Sequence, residues 1–465
     1  MVDRVGILIV GAGPTGLGAA WRLDQLEHAD WWLCEAEAEA GGLAGSVVDE
    51  HGFTWDLGGH VQFSHYEHFD RLMDDLLGED GWLRHERQAW VWIRGCFVPY
   101  PFQLNLHRLP GADRDACLAG LLARRSGAAP PAHLGEWIDQ NFGGGIAAMF
   151  LGPYNRKVWG YPLEDLSCAW VGDRVAHVDV GRVRENIRRG RDDVGWGPNN
   201  RFRFPRHGGT GSVWRALATR LAERHPGKLC LERPLLHLDT AGHLAHFAGG
   251  ETVRYERLLS TVPLDILVRQ SDLADELGTA VTRLKHSSTH VLGIGLHGRP
   301  DDRLADKSWI YFPEEGYPFY RATVFSRYSP GNVPHPERYW SLLLEVSESP
   351  VKAVDGSRLV ETTLRGLLDA GLVPGRASVH HVWHRRLEHG YPTPALGRDE
   401  TLGLVLPALE SRDVYSRGRF GAWKYEVSNQ DHCFAQGVEL VDRWLKNVPE
   451  TTLHHPDVVN ARRSV

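Results

Sequence analysis

Cysteine is scarce in this chain of 465 residues, which contains only six. The six lie far apart in the sequence, at Cys34, Cys96, Cys117, Cys168, Cys230 and Cys433. No CxxC pair and no spacing typical of a metal site occurs among them, so a disulfide scaffold or a zinc finger is excluded. We therefore expect reduced thiols that serve in packing, and no metal site.

Long apolar runs and an excess of positive charge are also lacking. No apolar run approaches the roughly 20 residues that a membrane helix requires, and the N-terminal VGILIVGAGPTG leads into a motif where a signal peptide would have a cleavage site. The net charge of -7 does not provide the basic face that binding to nucleic acid requires. We expect a cytoplasmic protein without a membrane or nucleic-acid partner, in which an anionic ligand meets a local group of arginines.

The remaining composition is that of a globular protein. Hydrophobic residues make up 42% and charged residues 24%, and the length predicts two or three domains that are interleaved in sequence. The 17 tryptophans and 25 histidines provide many flat rings and hydrogen-bond donors. Most of these rings serve packing, but such a composition suits a ligand with flat rings.

The first motif is a dinucleotide-binding turn. Residues 6–10 form an apolar run that reads as a buried parallel strand, and Gly11, Gly13 and Gly16 follow it before a helical pattern. These glycines permit a tight turn, a close approach of the backbone to a pyrophosphate, and close packing of the helix. Glu35 ends the second strand, about 20 residues beyond the glycines, where the fingerprint places the carboxylate that binds a ribose hydroxyl.

A second glycine pair, Gly41 and Gly42, follows Glu35 in the loop AEAEAGGLAGS. On turn chemistry alone this pair is also compatible with a flexible turn. The combination resembles the FAD-binding family that includes amine oxidases, phytoene desaturases and UDP-galactopyranose mutases. The resemblance favours FAD over NAD as the cofactor.

The segment WDLGGHVQFSHY places Gly58, Gly59 and His60 after a strand-like pattern. It closely resembles the corresponding segment of eukaryotic-type UDP-galactopyranose mutases. The resemblance implies that both glycines let the chain lie against the isoalloxazine and that His60 sits beside it in a loop that shifts with the redox state. A hydrogen-bonded core histidine is the alternative interpretation of His60.

The resemblance to this family extends from about residue 5 to about residue 460. It is carried by VPYPFQ, GPYNRKVWG, CAWVGDRV, GWGPNNRFRFP, KHSSTHVLGIG, WIYFPEEGYPFYRATVFSRYSP, LEVSES, HGYPTPALGR and SRGRFGAWKYEVSNQDH. The resemblance implies an α/β protein, with a Rossmann-like FAD-binding domain, an inserted helical substrate domain and an antiparallel β-sheet domain. We expect the FAD-binding domain in residues 1–88, 203–268 and 405–450, the helical domain in 104–190, and the sheet domain in 89–103 and 269–404.

The same segments suit the parts of a nucleotide sugar. For the base, two aromatic rings flank Pro101, and amide and indole groups add hydrogen bonds. The residues whose matching positions hold uridine in the family are Tyr100, Phe102, Gln103, Asn155 and Trp159. Packing around a proline-rich turn is the alternative for any one of them. Gln62 and Leu104 lie where this sequence departs from eukaryotic members, so guanine remains open as the base.

For the diphosphate, Arg174 and Arg321 are the expected pair, because guanidinium groups offer several donors to phosphate oxygens and stay charged when desolvated. A surface salt bridge is the alternative for a single arginine. The resemblance adds four tyrosines at the diphosphate, namely Tyr311, Tyr328, Tyr391 and Tyr425. It also places Asn199, Arg419 and Asn429 near the sugar and the flavin, and Gln430 is expected to bind the cofactor.

No HExxH, Ser/His/Asp or CxxC pattern surrounds these segments, so the cofactor is expected to carry the chemistry. The resemblance implies an isomerase that interconverts an NDP-galactopyranose and an NDP-galactofuranose through a covalent adduct between reduced-flavin N5 and the sugar. The catalytic residues are then expected to be Arg174, Arg321, His60, Asn199 and Arg419.

The flavin must first be reduced, and in the family NADPH or NADH does this with help from an arginine and a serine. This sequence keeps Arg87 but has Ala89 at the place of the serine. Two further functions remain open: an oxidative FAD enzyme of the amine-oxidase or desaturase kind, and a flavoprotein that binds a nucleotide sugar without catalysis. The sequence does not predict an oligomeric state.

Overall fold

The structure is a computed structural model that describes residues 2–124 and 129–461. Residues 125–128 of the predicted helical domain 104–190 therefore lie outside the described residues. Within them, the strands are β1 (Asp3–Val10), β2 (Trp31–Cys34), β3 (Ser46–Val48), β4 (Thr54–Asp56), β5 (Trp82–Glu86), β6 (Ala89–Ile93), β7 (Cys96–Pro99), β8 (Arg201–Pro205), β9 (Leu229–Cys230), β10 (Leu235–Asp239), β11 (Leu244–Phe247), β12 (Thr252–Ser260), β13 (His286–His297), β14 (Trp309–Tyr311), β15 (Arg321–Val324), β16 (Tyr339–Glu348), β17 (Val379–Pro392) and β18 (Val414–Ser416).

The helices of the same residues are α1 (Pro14–Gln25), α2 (Glu67–Leu77), α3 (Gly111–Leu122), α4 (Leu134–Ile146), α5 (Gly152–Trp159), α6 (Val180–Arg189), α7 (Gly211–Arg224), α8 (Leu264–Arg269), α9 (Ala274–Val281), α10 (Asp302–Ala305), α11 (Phe325–Tyr328), α12 (Leu359–Asp369), α13 (Arg398–Glu410), α14 (Gln430–Lys446) and α15 (Pro456–Asn460). Of the helices described, none is both long and apolar enough to span a bilayer.

The first sheet is a Rossmann-like layer in the order β10-β11-β12-β1-β2-β9, with β18 paired to β12. Strand β1 runs parallel to both of its neighbours, β12 and β2. Its apolar run is buried on both faces, as the sequence predicts for a central parallel strand, and Leu8 and Ile9 are fully buried. The sheet therefore gathers strands from three separate stretches of the chain.

Helix α1 follows β1 and packs closely on α14. A side chain at Gly18 would place its Cβ 2.4 Å from the carbonyl oxygen of Phe434, and one at Gly437 would place its Cβ 2.0 Å from that of Thr15. Glycine is required at both positions because the two backbones touch. This packing brings the N-terminal ends of α1 and α14 to the same edge of the first sheet.

The second sheet has the order β17-β13-β16-β15-β14-β6-β7. Its pairs are antiparallel except for β14 and β6, which run parallel. Strands β6 and β7 form a hairpin from earlier in the chain that extends the edge of the sheet, and β6 runs in the same direction as β14, which is an exception to the predicted antiparallel layer. Helices α3 to α6 pack beside β7 in a separate apolar core. The predicted domain boundaries remain predictions.

Candidate functional site

A cavity of about 1000 Å³ lies where the two sheets and the helical segment meet. Its wall contains the carboxyl end of β1, the start of α14, the facing strands of the second sheet, and α5. Open α/β sheets bind ligands beyond the carboxyl ends of their strands, and this cavity occupies that position. Most of the residues predicted for the site line it.

The dinucleotide turn occupies one end of the cavity. Gly11 has a φ of 103°, a left-handed conformation that favours glycine. The carboxylate of Glu35 accepts hydrogen bonds from the backbone N–H groups of Ala12 at 2.5 Å and Glu37 at 2.9 Å. Both Gly11 and Glu35 line the cavity. The spacing of the fingerprint therefore brings the glycine turn and the acidic residue together.

Gly13 is the N-cap residue that immediately precedes helix α1, and it lines the same end of the cavity. Its φ of −76° and ψ of −176° suit any residue. The nearest protein atom to a Cβ added there would be the carbonyl oxygen of Gly41, at 4.0 Å. Neither the backbone conformation nor the protein packing therefore requires glycine at this position. The remaining reason for glycine is that it leaves space in the cavity for a ligand.

Two other glycines of this region, Gly16 and Gly41, serve the packing of the protein itself. A Cβ at Gly16 would lie 1.9 Å from the carbonyl oxygen of Gly11, so Gly16 permits the contact of helix and turn and does not line the cavity. Gly41 has a φ of 126° and donates its N–H to Ala12 at 2.9 Å, while Gly42 lines the cavity. The second glycine loop is thus tied directly to the first turn. Backbone groups at a helix start, an open glycine and a ribose-type carboxylate together fit the diphosphate and ribose of a bound FAD.

Gly58, Gly59 and His60 line the middle of the cavity. Gly58 has a φ of 147°. A Cβ at Gly59 would lie 3.0 Å from both Nη2 of Arg321 and Oγ1 of Thr323, so the close approach at this glycine is to protein side chains. Gly59 thus makes room for these side chains, and the expectation that both glycines let the chain lie against the isoalloxazine remains a prediction.

The imidazole of His60 faces the cavity, and its Nδ1 is buried with no hydrogen-bond partner within the described residues. Burial lowers the pKa of His60 to about 4, while Glu345 opposes this shift and the charges of Arg419 and Arg321 support it. His60 is therefore neutral near pH 7. A buried ring nitrogen without a partner is costly, so a ligand is the natural partner for it.

Sequence reasoning missed Glu345, which lies at the centre of the cavity wall and is 2% exposed. Its carboxylate accepts a short hydrogen bond from Nε of Arg321 and one from the hydroxyl of Tyr320 at 3.3 Å. The available signal was an acid in the middle of YWSLLLEVSE, a strand that is apolar or small apart from Glu345 and the terminal Glu348. Arg321 is therefore partly neutralised by a buried partner before any ligand binds.

Arg174 also lines the cavity, but its partners among the described residues are neutral. Its guanidinium donates to the carbonyl oxygen of Glu426 and, at 3.2 Å, to Oδ1 of Asn460. It lies over the ring of Tyr425, 5.4 Å from the centroid, and its Nε is buried without a partner. Arg174 keeps an uncompensated positive charge and a free donor at the cavity wall.

Arg419 is held in the same way by neutral groups. It donates to the carbonyl oxygen of Gly390 and to Oγ of Ser428, each at 3.0 Å, and lies 4.8 Å from the centroid of the Tyr391 ring. The structure thus places a second uncompensated arginine on the cavity wall.

Arg87 is a third arginine of this kind. It is 6% exposed and donates to Oδ1 of Asn199 at 2.6 Å and to the carbonyl oxygen of Trp196. Its guanidinium lies 5.4 Å from the centroid of the Tyr100 ring. The side-chain oxygen of Asn199 is therefore engaged by Arg87, and this pair forms one unit of the cavity wall.

Gln103 lies at the far end of the cavity and is 1% exposed. Its Nε2 donates to the carbonyl oxygen of Ala176 at 2.9 Å, which fixes the amide, and its Oε1 is buried without a partner. Nearby, Nε1 of Trp159 donates to Oδ1 of Asn155 at 3.1 Å. Asn155 and Trp159 therefore bond to each other, and Gln103 supplies the free acceptor.

Two aromatic residues that were predicted for the binding site, Phe102 and Tyr328, do not line the cavity. Phe102 is fully buried and packs on Phe150 with a centroid distance of 4.8 Å, so it supports the wall from behind. Tyr328 is 1% exposed and packs against Phe202 and Phe204 in another core cluster. Both residues lie in short helical turns.

Other tyrosines line the cavity. They are the predicted Tyr100, Tyr311, Tyr391 and Tyr425, and also Tyr154 and Tyr320, which sequence reasoning missed.

Asn429 and Gln430 line the cavity at the start of α14, where free backbone N–H groups and the helix dipole favour negative charge. The side-chain Oε1 of Gln430 accepts hydrogen bonds from Nε2 of Gln62 and Nε1 of Trp214, each at 2.7 Å. The side chain of Gln430 thus holds the loop that contains Gln62. The backbone of Gln430 is the part of this residue that is available to bind a ligand.

Comparisons with known proteins agree with this geometry. Residues 9–76 match the model of the NAD(P)-binding Rossmann-like domain. The crystal structure of reduced UDP-galactopyranose mutase superposes with a TM-score of 0.95 at 48% identity, and the alignment covers 99% of this chain and 98% of that chain.

More distant structures share the fold. A CLA-producing fatty acid isomerase from P. acnes has a TM-score of 0.64 at 14% identity, covering 95% of this chain and 99% of that chain. Putrescine oxidase bound to putrescine has a TM-score of 0.62 at 15% identity, covering 96% and 100%.

Proposed function

The chain belongs to the UDP-galactopyranose mutase family, and we propose that it interconverts UDP-galactopyranose and UDP-galactofuranose as a flavin-dependent isomerase. The observation that carries this proposal is the set of cavity arginines Arg87, Arg174 and Arg419, whose described partners are neutral. Uncompensated guanidinium groups beside a dinucleotide turn suit a second, doubly anionic ligand.

Two ends of the cavity suit two different ligands. Gly11, Gly13, Glu35 and Gly42, together with the start of α14, would hold FAD. When bound and reduced, FAD supplies the nucleophile for the anomeric carbon, and the reaction has no net change in oxidation state. The opposite end, with Gln103 and Tyr100, would hold the base, so the sugar lies between them beside His60.

The residues of this chain hold and orient the sugar nucleotide. Arg174 and Arg321 would bind the diphosphate and keep it in the cavity until the sugar takes it back. Glu345 fixes the orientation of Arg321, and the Arg87–Asn199 pair fixes the wall beside the sugar. Tyrosine hydroxyls complete the wall and exclude water, which would otherwise divert the sugar to hydrolysis.

The base is proposed to be uracil because Gln103 offers one fixed, free acceptor. The N3–H of uracil donates to such an acceptor, whereas cytosine has an acceptor at N3. We expect Gln103→Met to weaken UDP binding about 5- to 100-fold, since a lost partner costs about 1 to 3 kcal/mol. Titration calorimetry with UDP and CDP measures this, and the preference for UDP over CDP should disappear in the variant.

A panel of nucleotide hexoses tests the same proposal by turnover. Reduced protein is expected to convert UDP-galactose faster than a GDP-hexose, because guanine presents two neighbouring donor groups to a single acceptor. Equal or faster turnover of the GDP-hexose would contradict the assignment of uracil. The panel also separates catalysis from binding alone, because a protein that only binds yields no furanose.

NADPH or NADH is the proposed reductant, with Arg87 as the residue that binds it. Ala89 is 5% exposed and packs in a core cluster with Phe202 and Trp309. A serine hydroxyl at this position would lie within the cavity wall and would add one hydrogen bond. Such a bond contributes about 1 kcal/mol, which corresponds to about a fivefold change in affinity for NADPH. We expect bleaching of the flavin by NADPH to saturate poorly in the parent protein and to improve about fivefold in Ala89→Ser.

Anaerobic stopped-flow absorbance measures this reduction, and Arg87→Met should weaken it further. Tight and rapid reduction of the unmodified protein would show that Ala89 is harmless. The oxidative alternative is not favoured, because the likeness to putrescine oxidase is at the level of the fold. A cytoplasmic location remains part of the proposal, since a reduced flavin and free thiols suit a reducing compartment.

A further inference from the structure

Two of the free cysteines lie side by side in the first sheet. Cys34 ends β2 and Cys230 ends β9, and they are direct partners in the parallel pairing of these strands. Partners in a parallel pair point to the same face of the sheet, and both side chains belong to one apolar cluster. The two thiols lie close enough to shift each other's pKa in opposite directions, and Sγ of Cys230 donates to the carbonyl oxygen of Gly227 at 3.6 Å.

The spacing suits a disulfide. Neighbouring strands lie about 4.7 to 4.9 Å apart, and disulfides span Cα separations of about 4.4 to 6.8 Å. Strand β9 is two residues long and lies at the edge of the sheet, so it can adjust when a bond forms.

The two thiols are chemically different. Cys34 is 1% exposed, and its interaction with the neighbouring Cys230 thiol, followed by burial, raises its pKa. Cys230 is half-buried, and its interaction with the neighbouring Cys34 thiol lowers its pKa; burial opposes this shift and the charge of Arg233 supports it. Cys230 is therefore the thiol that reacts first with an oxidant, and Cys34 is placed to resolve the product.

The backbone of both cysteines supports the dinucleotide site. The carbonyl oxygen of Cys34 accepts the N–H of Gly11 at 2.7 Å, and the carbonyl oxygen of Cys230 accepts the N–H of Glu35 at 2.8 Å. Arg233 in turn donates its N–H to the carbonyl oxygen of Glu35 at 2.7 Å. A change in the distance or twist of β2 and β9 is thus transmitted to the glycine turn and to the ribose carboxylate.

We propose that Cys34 and Cys230 form a reversible redox site, in which a disulfide closed by a peroxide loosens the binding of FAD. The Cys230 thiolate attacks hydrogen peroxide to give a sulfenic acid and hydroxide. The Cys34 thiol then displaces water and forms the S–S bond, so that two thiols and one peroxide give one disulfide and two waters. A thiol such as dithiothreitol returns both cysteines to the reduced form.

Peptide mapping of the peroxide-treated holoprotein tests the bond. After alkylation and digestion, we expect a linked pair of peptides that contain Cys34 and Cys230, with a mass two hydrogens below their sum. We expect the dissociation constant for FAD, measured by flavin fluorescence, to rise about tenfold and to recover with dithiothreitol. Cys230→Ser should prevent both changes, whereas Cys96→Ser, which removes a half-buried thiol of the second sheet, should leave both intact.

Two results would overturn the proposal: separate alkylation of both cysteines after peroxide treatment, or a linked pair with unchanged affinity for FAD. The mapping uses the parent protein, so it stands even if Cys230→Ser fails to fold. The predicted change in affinity for FAD rests on FAD as the proposed cofactor. The mass mapping of the linked peptides does not depend on the cofactor. A failure of the thiol chemistry and a failure of the cofactor assignment therefore give different results.

Discussion

Gly13→Val is expected to give a folded protein that is colourless. The backbone at Gly13 suits any residue, and an added Cβ meets no protein atom closer than 4.0 Å, so the valine occupies cavity space that a pyrophosphate needs. Charge-assisted contacts to an anion contribute about 1.5 to 3 kcal/mol each. We therefore expect the affinity for FAD to fall at least about a hundredfold, measured by flavin absorbance per protein and by titration of FAD into the apoprotein.

Two other glycines provide the controls. Gly16→Ala would place its Cβ 1.9 Å from the carbonyl oxygen of Gly11, so this variant is expected to lose the fold as well as the flavin. Gly278→Ala, in helix α9 of the first sheet's core, meets no atom within 4 Å and should retain both. Full flavin occupancy in Gly13→Val would contradict the assignment of a dinucleotide site.

Arg174→Ala is expected to weaken binding of free UDP by about ten- to a hundredfold while the flavin content stays normal. The described partners of Arg174 are a carbonyl and an amide oxygen, so its removal leaves no buried carboxylate without a partner. Turnover should fall as well, and free hexose should be released, because the expelled diphosphate is held less firmly. Titration calorimetry and product chromatography measure the two effects.

Arg321 requires a different substitution, because Arg321→Ala leaves the buried Glu345 without its partner. Breaking such a pair costs about 3 to 5 kcal/mol of stability, which would obscure an effect on binding. Arg321→Lys keeps the charge but not the forked geometry, so it should recover part of the affinity that Arg321→Ala loses. The double variant Arg321→Met with Glu345→Gln removes the pair together. Unchanged affinity for UDP in Arg174→Ala and in this double variant would show that both arginines are structural.

The dinucleotide end of the site could be predicted from sequence because its parts are local. Gly11, Gly13 and Gly16 act within one turn, and a single strand carries Glu35 back to that turn. The family of the chain was also recognisable from long unusual segments, and the 48% identical mutase structure confirms it.

The partners of the arginines could not be predicted, because they come from distant parts of the chain. Arg174 meets Glu426 and Asn460, and Arg321 meets Glu345 across neighbouring strands of the second sheet. The sequence also did not predict which aromatic rings line the cavity. Tyr100 and Phe102 are two residues apart, yet Tyr100 lines the cavity and Phe102 is buried behind its wall. Cys34 and Cys230 likewise become neighbours through strand pairing alone.

The most direct test of the central claim counts turnovers for each reduction. The flavoprotein is reduced anaerobically with one equivalent of dithionite and then given excess UDP-galactopyranose, and products are separated over time. An isomerase that uses reduced FAD without consuming it is expected to form many equivalents of UDP-galactofuranose per enzyme, to reach the same ratio from either sugar, and to be inactive when oxidised. Product limited to one equivalent per reduction, or no furanose from the reduced protein, would contradict the account.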